Sequence, residues 1–130
     1  MIVLDSHVVI WLALSPELIS ARAKEAIRNA ESTGGVLGIS VMTLYEVANA
    51  IRRGRIQPST PHEVFLRLIG SRFKVIPVTE TIAVRAAAFP TPFHGDPMDR
   101  IIVATTVVAE GTLITADRDI HAANACEVLW

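Results

Sequence analysis

Ile2-Val3-Leu4-Asp5-Ser6-His7-Val8-Val9-Ile10-Trp11 opens with a short, wholly apolar run, cut off by an acid and followed by a longer apolar stretch. A three-residue run rich in β-branched side chains reads as a strand buried on both faces, and the longer run after it as the start of a helix. The same alternation recurs along the chain. Val36 to Ile39 ends at Ser40, Val75 to Val78 at Thr79, Thr112 to Thr115 at Asp117, and Glu127 to Trp130 closes the series. Between these runs lie helical signals with recognisable ends. Ser20 opens 21–31, where Ala23, Ala26, Ile27 and Ala30 form a stripe that Gly34-Gly35 stop. Ser40 opens a helix ended by Gly54, and Thr60-Pro61-His62-Glu63 has the form of a capping box with proline at the first helical position. Asp96-Pro97-Met98-Asp99 repeats that form and opens a helix closed by Gly111. Short buried strands alternating with helices give an α/β chain: a three-layer α/β/α sandwich around a parallel sheet of about five strands. Ile101 to Ala109 is apolar nearly all round, so its helix is expected to be buried. Pro77 places an end or an edge of the sheet in the third run.

With 130 residues the chain is expected to form a single domain over 1–130. Its 51% hydrophobic content and mean hydropathy of +0.42 exclude a disordered chain. No apolar run approaches the roughly 18 residues of a membrane span, and the amino terminus lacks the pattern of a signal peptide. The lone Cys126 forms no internal disulfide, which fits a reducing compartment, so a cytoplasmic protein is expected. Twelve basic residues against thirteen acidic ones exclude a blanket of positive charge, so a nucleic-acid partner would need local basic patches.

In open parallel sheets, ligands bind at the carboxyl ends of the strands. Asp5 ends the first strand, Asp99 begins the helix after the Pro/Gly-rich loop 90–97, and Asp117 follows the fourth strand. Glu46 lies about a turn and a half into the helix after the second strand. Carboxylates crowded at one edge repel each other unless a cation neutralises them, and hard Mg²⁺ or Mn²⁺ suits oxygen ligands. His7, His62, His94 and His121 lack zinc spacing. Each acid also has a plainer reading. Glu46 falls almost opposite the stripe Val41, Leu44, Tyr45, Ala48, Ile51, where a glutamate is simply solvated. Asp96 suits a helix N-cap, Asp99 its capping-box partner, and one of Asp117 and Asp119 a cap. Ser6 suits an N-cap, and His7 a satisfied structural histidine. Arg52, Arg53 and Arg55 form the densest basic cluster, either a solvated helix end or a phosphate-binding rim. Trp11, Trp130, Phe65 and Tyr45 read as core rather than stacking platforms.

Four segments taken in order, Ile2 to Trp11, Ser40-Val-Met-Thr-Leu-Tyr-Glu46-Val-Ala, His94-Gly-Asp96-Pro-Met-Asp99-Arg100-Ile-Ile-Val-Ala-Thr and Leu113-Ile-Thr-Ala-Asp117-Arg-Asp119, resemble the PIN-domain ribonucleases. Within that family the chain looks most like the VapC-type toxins of toxin–antitoxin pairs. The resemblance runs the length of the chain. It implies a metal-dependent endoribonuclease using Mg²⁺ or Mn²⁺, an RNA substrate, a cognate antitoxin as partner, and a homodimer. Asp5, Glu46, Asp99 and Asp117 match the acidic quartet as catalytic and metal-binding residues, and Ser6 a position where threonine or serine is usual. Ser6, Asp96 and Thr115 are supporting positions, and Arg52, Arg53 and Arg55 candidate RNA contacts. Met98 departs from the phenylalanine common in the motif, one apolar side chain for another.

The expected chemistry is hydrolysis of a phosphodiester by a metal-activated water. Other acid-based sites fit worse. A haloacid-dehalogenase-type phosphatase needs a second aspartate where His7 stands, and a receiver domain needs a lysine that neither Lys24 nor Lys74 supplies. A Toprim reading of Asp117-Arg118-Asp119 leaves Asp5 unused. The non-enzymatic alternative is a catalytically silent RNA- or protein-binding relative, which would keep affinity without cutting.

Overall fold

A computed structural model of the chain describes residues 1–90 and 96–130. Most of the 90–97 loop, including the His94-Gly95 part of the third motif, lies outside the described residues. The elements run β1 (Ile2–Leu4), α1 (Ser6–Leu14), a short 3₁₀ turn (Pro16–Leu18), α2 (Ala21–Ser32), β2 (Leu37–Ser40), α3 (Val41–Arg52), α4 (His62–Arg72), β3 (Lys74–Ile76), α5 (Glu80–Ala88), α6 (Pro97–Val108), β4 (Thr112–Ile114), α7 (Arg118–Ala123) and β5 (Glu127–Leu129). The five strands form one sheet, every pair parallel, in the order β3-β2-β1-β4-β5.

Side chains alternate across the sheet with a period of two. Leu4, Ile39 and Ile114 face a core shared with α1 to α4, through Val8, Val9, Ile27, Val47, Phe65 and Ile69. Val3 and Leu113, paired in register, face the other way onto Ile102 and Val103 of α6 and Ile120 of α7. The sheet is therefore covered on both faces, as the unbroken apolar strands require. The strand order explains the split. Steps from β1 to β2 to β3 run outward one way and steps from β4 to β5 the other, so right-handed crossovers put the two helix sets on opposite faces. The order reverses between β1 and β4, which makes the carboxyl ends of those two strands the crevice of the fold.

Local chemistry sets the ends. Ser20 Oγ accepts from Ala23 N–H, Ser40 Oγ from Met42 N–H and Thr79 Oγ1 from Ile82 N–H, each capping the helix it precedes. At Gly111, a Cβ would stand 2.7 Å from the Met1 carbonyl oxygen, so only glycine lets β4 enter beside the start of β1. Ile102 to Thr106 are all buried, as the apolar run predicts. Pro77 falls just past β3, which is both short and an edge strand.

The strands are a residue or two shorter than their apolar runs, since Val36, Val78 and Trp130 lie outside the ladders. The capping box at Thr60 does not form. The helix begins one residue later, at His62, with Pro61 at the N-cap and no side-chain cap bond, because proline there fixes an extended backbone. Replacing Ile102 by alanine should cost about 2–5 kcal/mol, since it empties a fully buried site between α6 and the sheet. Urea unfolding checks this, and a loss below about 1 kcal/mol would show that the layer is not closely packed there.

Candidate active site

Asp5 stands at the crevice. Its backbone N–H donates to Ile114 C=O at 3.1 Å, tying the end of β1 to β4. Its carboxylate is 3% exposed and serves as the N-cap of α1, with Oδ1 accepting from Ser6 N–H at 2.7 Å. Oδ2 accepts the Thr115 hydroxyl proton at 2.6 Å, across 110 residues of sequence. A buried carboxylate is costly unless hydrogen-bonded, and here the partners come from the start of α1 and from the residue just past β4. The Thr115 hydroxyl also accepts from Asp117 N–H at 3.0 Å, and the Thr115 carbonyl accepts from His121 Nε2 at 2.8 Å. Thr115 thus ties the turn that carries Asp117 to Asp5.

Ser6 is not the cap, because Asp5 takes that role. The Ser6 hydroxyl donates to Glu46 Oε2 instead, joining the start of α1 to α3. Glu46 is accordingly not on a solvated face. The buried residues of α3 are Thr43, Val47 and Ile51, so the inward face is rotated from the stripe read off the sequence. Val41 and Tyr45 lie outward, Tyr45 56% exposed, which removes it from the core. Packing between neighbouring helices fixed that rotation, and the wheel alone could not. Phe65 is buried, and Trp11 and Trp130 are half-buried, packed against the core and each other at 5.7 Å.

Asp96 caps α6, its Oδ1 accepting from Met98 N–H at 2.9 Å. That places Asp99 in the first turn, where the helix dipole favours an anion. Asp117 caps α7, its Oδ1 accepting from Asp119 N–H at 2.7 Å and Ile120 N–H at 3.2 Å, so the cap of the Asp117/Asp119 pair is the quartet member. Arg100, beside Asp99 in sequence, reaches the end of α5. Its guanidinium donates to Ala86, Ala87 and Phe89 carbonyls, closing the end of α5. Arg52 is held to Asn49 Oδ1 by two donors, while Arg53 and Arg55 are exposed.

The acids share one field. Burial pushes the Asp99 carboxyl up to about 7, and the negative charges of Asp5, Asp96, Glu46 and Asp117 add to the rise. Burial likewise raises Glu46; the Ser6 hydrogen bond opposes this, and Asp5 and Asp96 reinforce it. Among the described residues, no three Asp, Glu, His or Cys side chains already stand as a formed metal-binding group. Asp5, Asp96, Glu46 and Asp117 nevertheless all act electrostatically on Asp99. An all-oxygen, multiply anionic donor set still suits a hard divalent cation, which would relieve that repulsion.

Asp96 tests the difference between cap and ligand. Asp96→Ser keeps an oxygen for Met98 N–H and loses a charge, so stability should change by about 0.5 kcal/mol or less and RNA cleavage should persist. Loss of cleavage with stability intact would instead make the Asp96 charge part of the chemistry.

Two elements of the site were not identified from sequence. The contact of His7 with Asp5 and the Ser6–Glu46 bond are long-range products of folding; the only signal was their place beside a strand-ending acid. An all-parallel sheet in this order, with acids gathered at its switch point, defines a class. The chain belongs to the PIN-domain family, whose sequence pattern it matches over residues 2–125. It is 32% identical over 117 residues to Ribonuclease VapC22 of Mycobacterium tuberculosis, a match spanning 90% of this chain and 87% of that protein. Its fold is similar to a chain of VapBC2 from Rickettsia felis, solved bound to a promoter DNA fragment, with TM-score 0.75 and 12% identity over 99% of this chain and 98% of that one. It is also similar to a chain of FitAcB from Neisseria gonorrhoeae, with TM-score 0.72 and 22% identity over 100% and 97% of the two chains. At these identities the structural likeness is one of fold. Among the described residues, no helix is long and apolar enough to cross a membrane.

Proposed function

We propose that this chain is a divalent-metal-dependent endoribonuclease, the toxin of a toxin–antitoxin pair, acting in the cytoplasm and neutralised by a cognate antitoxin. Two copies associate as a homodimer, and Mg²⁺ or Mn²⁺ is the cofactor. The observation that carries the reading is the buried Asp5 carboxylate at the crevice between β1 and β4, fixed by Ser6 and Thr115, with Glu46 joined to it through Ser6 and with Asp99 in the same acidic field. The identity to a ribonuclease over most of the chain supports it.

Asp5 and Asp99 would hold the cation directly, with Glu46 and Asp117 completing the set. A divalent cation bound there supplies charge neutralisation and Lewis acidity for a phosphodiester. The protein's own part is to orient and to move protons. Asp5 is fixed by Ser6 N–H and the Thr115 hydroxyl, so its carboxylate presents one defined direction to the crevice. Glu46, kept in place by the Ser6 hydroxyl, or Asp117 takes a proton from the attacking water as its oxygen bonds to phosphorus opposite the 3′-oxygen; the phosphorus–O3′ bond breaks, and the departing 3′-oxygen takes up a proton from bulk water. Burial raises the affinity of Glu46 for a proton, and the Ser6 hydrogen bond opposes that rise, which favours proton transfer to it over an ordinary glutamate. Arg52, Arg53 and Arg55, at the far end of α3 from its N-cap, guide the RNA backbone.

Incubation with a structured RNA, with and without chelator, tests the reading. The expected result is Mg²⁺- or Mn²⁺-dependent cleavage leaving 5′-phosphate and 3′-hydroxyl ends. Cleavage that persists in chelator, or 2′,3′-cyclic phosphate ends, would contradict it. RNA affinity without any cut product would make the chain a silent binding module.

A further inference from the structure

His7 sits where two parts of the crevice must be kept in register. Its Nε2 accepts from Ala116 N–H at 3.1 Å, across 109 residues of sequence. A ring nitrogen that accepts carries no proton, so the proton of the neutral imidazole stands on Nδ1. That nitrogen lies 3.4 Å from Asp5 Oδ2, the oxygen that also receives the Thr115 hydroxyl. At 3.4 Å the approach is longer than a good hydrogen bond, as is common before a site closes on its ligand. The ring is backed by Trp11, edge to face at 4.8 Å, which restricts its rotation. Three consecutive residues of the turn after β4 therefore serve one purpose: the Thr115 hydroxyl meets Asp5, Ala116 N–H meets His7, and Asp117 N–H meets Thr115.

We infer that His7 is a positioning residue for Asp5: its Nδ1–H, fixed in that tautomer by Ala116, orients the Asp5 carboxylate toward a bound divalent cation and couples it to the turn bearing Asp117. This rests on the metal site proposed above. His7 touches neither the cation nor the RNA; it acts through Asp5, as outer-sphere donors act on metal-binding carboxylates.

Three variants separate this role from a merely structural one. Asparagine can place an N–H where Nδ1 stands, and glutamine can place an acceptor where Nε2 stands. Phenylalanine keeps the ring against Trp11 and removes both functions. Mn²⁺ binding to each purified protein, read by isothermal titration calorimetry without RNA, gives the answer. His7→Phe and His7→Gln should bind Mn²⁺ about 10-fold or more weakly than the parent, and His7→Asn within about 3-fold of it. Should the phenylalanine variant not fold, the asparagine–glutamine contrast still decides. Parent-like Mn²⁺ affinity in the phenylalanine and glutamine variants, or rescue by glutamine and not asparagine, overturns the inference and leaves the metal site standing. A parent protein that takes up no Mn²⁺ overturns both.

Discussion

Asp5→Asn should lower metal-dependent RNA cleavage by about 10³-fold or more, equivalent to roughly 4 kcal/mol of lost transition-state stabilisation, while the protein stays folded. Asparagine matches the shape of the side chain and can still accept from Ser6 N–H at the start of α1. It loses the charge that holds a cation and puts an amide or an uncharged oxygen opposite the Thr115 hydroxyl. The buried polar network should lose about 1–2 kcal/mol of stability for the altered partner. Circular dichroism and urea unfolding verify the fold, and a gel-based cleavage assay verifies the activity. Cleavage within about tenfold of the parent, where direct metal ligation predicts far more, would remove Asp5 from the metal-binding role.

Asp99→Asn should move activity and stability in opposite directions. Cleavage falls by about 10³-fold, for the reason given for Asp5. The metal-free protein becomes more stable at neutral pH, because an ionised carboxyl in a field of four others is removed. The sign follows from linkage. A carboxyl whose pKa rises from 3.8 unfolded to about 7 folded stabilises the protein fully below pH 4. That contribution is lost progressively as pH rises to about 7 and stays lost above it. The asparagine variant has no such loss, so its advantage opens between pH 4 and 7 and then levels off. Asp99 is only half-buried, so solvent screening reduces the effect to about 1 kcal/mol, or roughly 3–6 °C in melting temperature. Mn²⁺ uptake by the parent should correspondingly release a proton near pH 6.5 and weaken as pH falls below 7. A variant that melts at the parent temperature at pH 8 would show that the acids do not share one field.

The sheet was legible because its strands announce themselves. Ile2-Val3-Leu4 and Thr112-Leu113-Ile114 are apolar on both faces, which only a covered parallel strand allows. Asp5, Asp96 and Asp117 were legible as acids at element boundaries, and all three do cap helices. The surroundings of those acids were not. Which face of α3 turns inward depends on how it packs among its neighbours, so the helical wheel left Glu46 open between a solvated position and the site, and read Tyr45 as buried. Thr115, the partner of Asp5, lies 110 residues from it, and Ala116, the partner of His7, lies 109 residues from His7, distances over which sequence pattern carries no register. Arg100, adjacent to Asp99 in the chain, turned out to close α5, because three unsatisfied carbonyls lie within its reach.

A crystal structure of the protein with Mn²⁺, located by its anomalous scattering, bears most directly on the acids acting as one cation site. The expected result is a peak in the crevice between β1 and β4, with oxygens of Asp5 and Asp99 about 2.1 Å away. A crevice that stays empty at saturating Mn²⁺, or an ion held by other side chains, would contradict it.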